Sequence, residues 1–283
     1  MIVPAKESQE VAAALAEELG EPLARVEYRR FPDGELVVQV PPQEGRAIVV
    51  GSTITSDAHV QLLQLQDAVR EAGAEEVVTV IPYMGYARQD EAFKAGQPVS
   101  ARAVARAIST GTDRVLTVNP HEEAVCDFFG VPAEAVDAAP RLAEPLPADL
   151  ADPVFLAPDQ GAMDLVESVR DAYGTGTTDF FEKHRDVDTG DIEVTPSEVA
   201  VEGRDVVVVD DIIATGSTMS EAITILQERE VGRVFVATVH PLLAQNARSK
   251  LAAAGVEAVL GTDTIERVVS QVSVAPAIAN VLD

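Results

Sequence analysis

The stretch DVVVVDDIIATGSTMSEAITILQEREVGRVFVATVHP, from Asp205 to Pro241, decides the fold of this chain. It opens with an apolar run, Val206–Val209, passes through a polar loop into a helical pattern, Ser217–Glu230, and returns to a second apolar run, Val234–Val239. Near-continuous apolar runs joined through a helix are typical of parallel strands that a sheet buries on both faces. The stretch therefore predicts a βαβ unit and an α/β fold.

The same order of elements occurs earlier, in AIVVGSTITSDAHVQLLQLQDAVREAGAEEVVTVIPY from Ala47 to Tyr83. Few residues are identical, so the match indicates either two similar domains in tandem or the ordinary regularity of βαβ units. The apolar runs predict strands at Ala47–Val50, Val77–Ile81, Val115–Val118, Val154–Leu156, Val206–Val209, Val234–Val239 and Val256–Leu260. The helical periodicity predicts helices at Asp57–Ala72, Ala162–Ala172 and Ser217–Glu230.

A proline-rich segment divides the chain into two predicted domains. PRLAEPLPADLADP, from Pro140 to Pro153, contains four prolines, and such a concentration is typical of a connection between elements. We therefore expect one domain at residues 1–140 and another at 141–283. The last segment, Val274–Asp283, is predicted to be a C-terminal helix. The sequence does not assign it to a domain, and it could pack on the first domain or on the second.

Composition limits the class of partner. The 283 residues are 47% hydrophobic and carry 21 Lys and Arg against 47 Asp and Glu, a formal charge of −26 at pH 7. That hydrophobic content excludes a disordered chain. A positively charged face is needed to displace counterions from nucleic acid or from an anionic membrane, so neither partner is expected.

Lysine usage and the single cysteine bear on the environment. Only four of the basic residues are lysine, and a dispersed acidic surface with little lysine resembles proteins from a salt-saturated cytoplasm, where screening suppresses self-repulsion. An ordinary acidic protein is the alternative. Cys126 cannot form an internal disulfide, no secretory leader is recognisable, and no apolar run approaches the roughly 18 residues that span a bilayer. A soluble, cytoplasmic protein is expected.

Two carboxylates and a hydroxyl-rich turn follow the Val206–Val209 run. Asp210 and Asp211 are predicted to lie just past the strand, at the carboxyl edge of the sheet, where open α/β folds bind ligands. The Thr-Gly-Ser-Thr turn, Thr215–Thr218, supplies backbone N–H groups, hydroxyls and a helix N-terminus, which suit a phosphate monoester. Carboxylates beside it can accept from vicinal sugar hydroxyls. The segment predicts a phosphorylated-sugar site, with helix capping as the structural alternative.

The segment Val206–Thr218 resembles the 5-phosphoribosyl-1-diphosphate binding motif of type I phosphoribosyltransferases and of ribose-phosphate diphosphokinases. Three earlier segments, FPDGE (31–35), YMGYARQDEAFK (83–94) and VNPHEEAV (118–125), are similar to the diphosphokinase pattern in the same order. The resemblance covers nearly the whole chain. It implies two tandem domains of the type I phosphoribosyltransferase-like kind, with the nucleotide on the first and ribose 5-phosphate on the second.

In that family ATP gives its β,γ-diphosphoryl group to the anomeric hydroxyl of ribose 5-phosphate, AMP is released, and Mg²⁺ assists. The resemblance implies ATP-binding residues at Phe31, Asp33, Glu35, Arg88, Gln89 and Asp90. It implies ribose 5-phosphate-binding residues at Asp210, Asp211, Thr215, Gly216, Ser217 and Thr218. It implies metal ligands at His121 and Asp159, and catalytic cations at Lys183 and Arg185.

The first-domain segments have plainer interpretations when taken alone. Pro32-Asp33-Gly34 is typical of a hairpin turn, which would place Phe31 in the core. Taken alone, the segment around Arg88 fits a solvated loop as well as it fits a nucleotide site. A single histidine after a strand, such as His121, is more often structural. In the second domain the paired cations at Lys183 and Arg185 could instead lie at a solvated hairpin tip.

The chain departs from the family pattern at three places. Asn119-Pro120 stands where Asp-Leu is common, Glu91 stands where many members have a basic residue, and Ala162 stands where a second glycine is common. These departures motivate one alternative, a non-catalytic regulatory homologue, although Lys183 and Arg185 are retained. The segment Val206–Thr218 alone also supports a second alternative, a phosphoribosyltransferase, in which the first-domain motifs would have no role. Because the family's FPDGE segment reaches into a neighbouring subunit, the resemblance also implies a homo-oligomer, at least a dimer.

Overall fold

The computed structural model describes residues 1–185, 192–196 and 199–282, with side chains described except at 182–185, 192–196 and Thr218. The chain divides into two compact units. The first unit comprises Met1–Ala138, Asp263–Glu266 and Ser273–Asp283, and the second comprises Ala139–Thr262 and Arg267–Val272. The C-terminal segment therefore belongs to the first unit.

The first unit is built on a five-stranded parallel sheet. Its strands, in spatial order, are β1 (Ile2–Pro4), β4 (Arg46–Val50), β5 (Glu76–Ile81), β6 (Arg114–Val118) and β7 (Ala133–Val136). A separate antiparallel hairpin pairs β2 (Glu27–Arg30) with β3 (Leu36–Gln39). The helices are α1 (Gln9–Leu19), α2 (Ser56–Glu71), α3 (Ser100–Ile108) and the C-terminal α7 (Ala275–Leu282).

The second unit is built on a seven-stranded sheet that is parallel except at one edge, where β9 and β10 are antiparallel. Its strands, in spatial order, are β10 (Ile192–Pro196), β9 (Thr177–Arg185), β8 (Val154–Ala157), β11 (Val206–Ile212), β12 (Val234–His240), β13 (Ala258–Thr262) and β14 (Ser270–Val272). Its helices are α4 (Met163–Tyr173), α5 (Ser217–Glu228) and α6 (Ala247–Ala253). Short 3₁₀ helices lie at Glu123–Phe128, Ala139–Ala143 and Gln160–Ala162.

Apolar burial explains why these segments form a sheet with helices on it. Val206–Val209 of β11 are fully buried, as parallel strands covered on both faces should be. Helix α2 begins where the Thr55 side chain accepts a hydrogen bond from Ala58 N (3.1 Å), and it buries Leu62 and Leu65 in the core of the first unit. The α/β class expected from the apolar runs is confirmed.

The structure differs from the sequence prediction at element boundaries. Strand β11 continues to Ile212, so Asp210 and Asp211 lie inside its last residues and not beyond its end. The extension follows from pairing with β12, in which Asp210 stands opposite Thr238 and Ile212 opposite His240.

In the described part of the chain, no helix combines the length and apolar character that crossing a bilayer requires.

Candidate active site

The carboxylate pair lies at the carboxyl end of the central strand of the second unit. Strand β11 has β8 on one side and β12 on the other. The Asp211 backbone carbonyl accepts a hydrogen bond from Thr238 Oγ1 (3.2 Å), and Asp211 Oδ1 accepts one from Ile212 N (2.7 Å). The pair is therefore held at the edge of the sheet by strand pairing and by its own backbone.

The two carboxyl groups are close enough to change each other's protonation. Burial raises the pKa of Asp210 well above its ordinary value, and the charge and hydrogen bond of Asp211 raise it further. Asp159 adds a smaller effect in the same direction. Crowded acids of this kind are stabilised by a cation, by a shared proton or by hydroxyl donors. The site is therefore suited to a ligand that supplies one of these.

Asp159 lies at the same edge because it follows β8, the neighbour of β11. Its Oδ1 accepts a hydrogen bond from Gly161 N (3.1 Å), and this bond caps a short 3₁₀ helix. The next residue, Ala162, adopts φ −93°, outside the left-handed region that favours glycine. The backbone conformation of this loop therefore does not require the second glycine that the family often has at this position.

The hydroxyl-rich turn begins α5. Gly216 adopts φ 67°, in the left-handed region that favours glycine, and Ser217 is the first helical residue. The first N–H groups of an α-helix have no partner inside the helix, and the helix dipole places partial positive charge on them. Thr215 Oγ1 and Ser217 Oγ lie 3.5 Å apart beside these groups. The turn therefore offers donors for an anion, and it starts at Thr215, four residues after Asp211.

The segment with the paired cations forms the antiparallel edge of the second unit. Lys183 stands opposite Val194, and Arg185 stands opposite Ile192, in the ladder between β9 and β10. Their side chains, and residues 186–191, lie outside the described residues. The catalytic role given to Lys183 and Arg185 therefore stays a prediction, as does the contact made by the Thr218 side chain.

In the first unit, the loop after β5 that carries Arg88, Gln89 and Asp90 is fitted closely to the end of β4. Tyr83 O accepts from Thr53 N (2.9 Å), and Gly85 N donates to Thr53 Oγ1 (2.8 Å). A Cβ on Gly85 would stand 2.1 Å from the Thr53 carbonyl oxygen, so only glycine allows this approach.

A buried serine connects that loop to Asp263–Glu266, a segment from late in the sequence that belongs to the first unit. Ser52 Oγ accepts from Tyr83 N (3.1 Å) and donates to Thr264 O (2.6 Å), and Ser52 is 1% exposed. Sequence reasoning gave no role to Ser52, Thr53 or Gly85. The available signal was their place directly after an apolar strand, at the edge where ligands bind.

The three predicted nucleotide residues of this loop have different environments. Arg88 is exposed and Asp90 is half-buried. Gln89 contacts the start of α3, because its Oε1 accepts from Ser100 Oγ (2.7 Å) and its backbone carbonyl accepts from Ala101 N (3.1 Å). Gln89 therefore helps to place the loop on α3, whatever further contact its amide group makes.

The FPDGE segment forms the turn between β2 and β3. Phe31 N donates to Glu35 O (2.8 Å), Asp33 Oδ1 accepts from Glu35 N (3.1 Å), and Gly34 adopts φ 96°. Phe31 is 51% exposed. The hairpin turn considered from the sequence is confirmed, but the core position of Phe31 is wrong, because about half of its side chain is exposed at the turn. The side chains of Asp33 and Glu35 are also exposed.

His121 lies past β6, and it is exposed. The neighbouring departure, Asn119, adopts φ 33°, and asparagine is one of the few residue types that enter this region readily. Its Oδ1 accepts from Ala138 N (2.8 Å) and its Nδ2 donates to Asp137 Oδ1 (2.8 Å). Asn119 therefore joins the ends of β6 and β7, a structural role that an amide fills and a carboxylate cannot.

Within the residues that the structure describes, no group of three or more His, Cys, Asp or Glu side chains could hold a metal ion by itself. The structure brings Asp159, Asp210, Asp211 and the turn from Thr215 to Ser217 to one edge of the second unit. It brings Arg88, Gln89 and Asp90 to the corresponding edge of the first unit.

Comparison with known proteins gives a family match for each half of the chain. Residues 1–111 match a family model described as the N-terminal domain of ribose phosphate pyrophosphokinase, and residues 133–275 match one described as a phosphoribosyl transferase domain. A ribose-phosphate pyrophosphokinase from Halobacterium salinarum is 67% identical over 100% of both chains. One from Methanopyrus kandleri is 42% identical over 100% of this chain and 98% of its own.

The fold is also similar to that of a solved structure. Phosphoribosylpyrophosphate synthetase from Mycobacterium smegmatis matches with a TM-score of 0.84 and 26% identity, over 100% of this chain and 97% of that one. Together with the relatives of high identity, this match extends over both units and the whole length of the chain. The chain belongs to the ribose-phosphate pyrophosphokinase family.

Proposed function

We propose that this chain transfers the β,γ-diphosphoryl group of ATP to the anomeric hydroxyl of ribose 5-phosphate, releasing AMP and 5-phospho-ribose 1-diphosphate. The observation that carries the proposal is the Asp210–Asp211 pair at the end of β11, followed by the hydroxyl-rich turn at the start of α5. This arrangement alone also suits a phosphoribosyltransferase. The first unit, which matches the N-terminal domain of the pyrophosphokinases, favours the diphosphokinase.

The second unit would bind the acceptor sugar. The 5-phosphate would accept hydrogen bonds from the first N–H groups of α5 and from the hydroxyls of Thr215, Ser217 and Thr218. The ribose hydroxyls would donate to Asp210 and Asp211. The anomeric oxygen would then attack the β-phosphorus of ATP, the bond from that phosphorus to the α,β-bridging oxygen would break, and AMP would leave with that oxygen.

The proton of the anomeric hydroxyl needs an acceptor in this reaction. Burial and the Asp211 charge raise the pKa of Asp210, and a carboxylate with a raised pKa is a better proton acceptor near neutral pH. We therefore assign the proton to Asp210. Because phosphoryl transfer depends mainly on positioning and charge neutralisation, we assign neutralisation of the β-phosphate to Lys183 and Arg185.

The donor set fits Mg²⁺. Magnesium prefers oxygen ligands and is commonly held by one or two carboxylates together with substrate phosphates and water, and Asp159, Asp210 and Asp211 bring carboxylate oxygens to one edge of the sheet. We propose Asp159 as a ligand, with His121 as the ligand that the family resemblance implies. When bound, the ion neutralises charge on the diphosphate.

ATP would bind to the first unit through Arg88 and Asp90, with Gln89 placing the loop. Phe31, Asp33 and Glu35 would reach the nucleotide of a neighbouring subunit, and the exposed turn that carries them supports this arrangement. The protein would then be a homo-oligomer, at least a dimer. Analytical ultracentrifugation in concentrated KCl should show a dimer or larger species, and an active monomer would refute the shared site.

The proposed reaction is tested by measuring AMP release chromatographically, with and without ribose 5-phosphate, in concentrated KCl with Mg²⁺. AMP should form only when the sugar is present. The Lys183→Ala variant should lose turnover by about 10³-fold while its ATP affinity, measured by calorimetry, changes little. Equal loss of both would contradict the role of Lys183. Consumption of 5-phospho-ribose 1-diphosphate with a free base would instead indicate a phosphoribosyltransferase, and a folded oligomer without either activity would indicate the regulatory homologue.

A further inference from the structure

Lys250 lies against the turn that begins α5. Its Nζ donates a hydrogen bond to Ser217 Oγ at 2.6 Å, across 33 residues of sequence. Lys250 is half-buried in the last turn of α6, and it is one of four lysines in a chain with a formal charge of −26. Neither the family motifs nor the sequence pattern gives it a role.

The backbone holds α6 in this position. Leu243 N donates to Ile213 O (2.8 Å), and Ala244 N donates to Ala214 O (2.9 Å), so the segment before α6 pairs with the segment before α5. A Cβ on Gly216 would stand only 3.4 Å from Ala247 Cβ. Helix α6 therefore starts in contact with the turn, and Lys250, three residues later, is on the same helix face as Ala247.

The charge of Lys250 is unusual for its place. Anions, not cations, are stabilised at the N-terminus of a helix, yet the ammonium group points at the first residue of α5. Among the described residues no carboxylate lies within 4.0 Å of Lys250 Nζ, in a chain that has more than two acids for every base. A bound dianion at the turn would supply the missing counter-charge.

We propose that Lys250 is a binding residue for the 5-phosphate of ribose 5-phosphate, acting on it together with Ser217. This inference rests on the proposed function. A hydroxyl can accept one hydrogen bond and donate another, so Ser217 Oγ accepts from Lys250 and donates to a phosphate oxygen. Lysine acts as a compact point charge that approaches phosphate from any direction. Lys250 therefore adds a full charge to a turn that otherwise offers dipoles.

The test is calorimetric titration of ribose 5-phosphate into the protein in concentrated KCl, together with steady-state kinetics. Lys250→Gln should raise both the Kd and the KM for ribose 5-phosphate about tenfold, with kcat and the KM for ATP within twofold of the parent values. The matched control is Arg248→Gln, the same charge change at an exposed residue of the same helix, which should alter neither constant. Lys250→Arg should recover most of the affinity.

Thermal unfolding gives a second measurement. Ribose 5-phosphate should raise the unfolding temperature of the parent protein and of Arg248→Gln more than that of Lys250→Gln, because stabilisation by a ligand follows its affinity. Lys250→Met keeps much of the apolar stem and replaces Lys250→Gln if that variant does not fold.

Parental affinity in the folded Lys250→Gln or Lys250→Met variant overturns the proposal. A similar fall in kcat together with a rise in the KM values for both substrates also overturns it, because that result would indicate a purely structural contact. A parent protein that binds ribose 5-phosphate but releases no AMP would refute the proposed reaction alone, because the binding comparison would still decide the role of Lys250. A parent that binds no ribose 5-phosphate refutes both.

Discussion

Replacing Gly85 by alanine perturbs the contact between the nucleotide loop and the end of β4. The new Cβ would stand 2.1 Å from the Thr53 carbonyl oxygen, whereas real Cβ atoms essentially never come closer than 3.0 Å to a neighbour. The atom in conflict belongs to the backbone, so no side chain can rotate away. Loop and strand end must therefore separate by at least about 0.9 Å, the difference between these two distances.

That displacement acts on the residues beyond Gly85. The hydrogen bond from Gly85 N to Thr53 Oγ1 (2.8 Å) would lengthen, and Arg88 would move with the loop. A misplacement of about 1 Å in a group that positions substrate can cost about 10²-fold in rate, and overpacking typically costs about 1–3 kcal/mol of stability. We therefore expect kcat/KM for ATP to fall about a hundredfold, with the affinity for ribose 5-phosphate unchanged.

The assay is AMP release at varied ATP, with ribose 5-phosphate affinity measured by calorimetry on the same preparation. The matched control is Gly130→Ala in the same unit, where a Cβ would meet Ser109 Cβ at 3.6 Å, an ordinary contact. It should be close to the parent in both measurements. If folded Gly85→Ala keeps kcat/KM for ATP within twofold of the parent value, the assignment of this loop to the nucleotide is wrong.

Three further predictions concern stability. Ser52→Ala leaves the buried Tyr83 N–H and Thr264 carbonyl without their shared hydroxyl, which should cost about 2–4 kcal/mol in urea unfolding; a change below about 0.5 kcal/mol would refute this. Burial alone would raise the pKa of Asp205, but hydrogen bonds from Arg233 and from the backbone lower it. This carboxylate stabilises the fold above its ordinary pKa of about 4, and the contribution is lost as pH falls through the depressed value, so Asp205→Asn should be destabilised by about 2–4 kcal/mol at pH 7 and progressively less as the pH is lowered below about 4; a deficit that does not change with pH would contradict the ionic role. With a formal charge of −26, the unfolding temperature should rise between about 0.1 and 3 M KCl, and an unchanged or lower value would count against a protein suited to concentrated salt.

The buried parallel strands could be predicted from the sequence because each contains enough apolar residues to show its pattern. Val206–Val209 and Val234–Val239 both lie within observed strands. Strands β1 and β14 have three residues each, and β2 is mostly charged. Such segments are strands because a neighbour pairs with them, and pairing partners leave no periodicity in a short run.

The candidate site likewise has features that the local sequence predicts and contacts that it does not. The carboxylate pair and the phosphate turn are contiguous in sequence, so their chemistry could be identified locally. The contacts of Ser52 with Thr264 and of Lys250 with Ser217 join residues 212 and 33 positions apart. Only the packed fold brings these pairs together, and no spacing rule within one helix or strand predicts them.

The most direct test of the proposed reaction is ³¹P NMR of the protein with ATP, ribose 5-phosphate and Mg²⁺ in concentrated KCl. AMP and a new diphosphate ester on the anomeric carbon should appear together, in equal amounts, and only when all three are present. AMP accompanied by free diphosphate and unchanged sugar, or no AMP from a folded oligomeric sample, would contradict it.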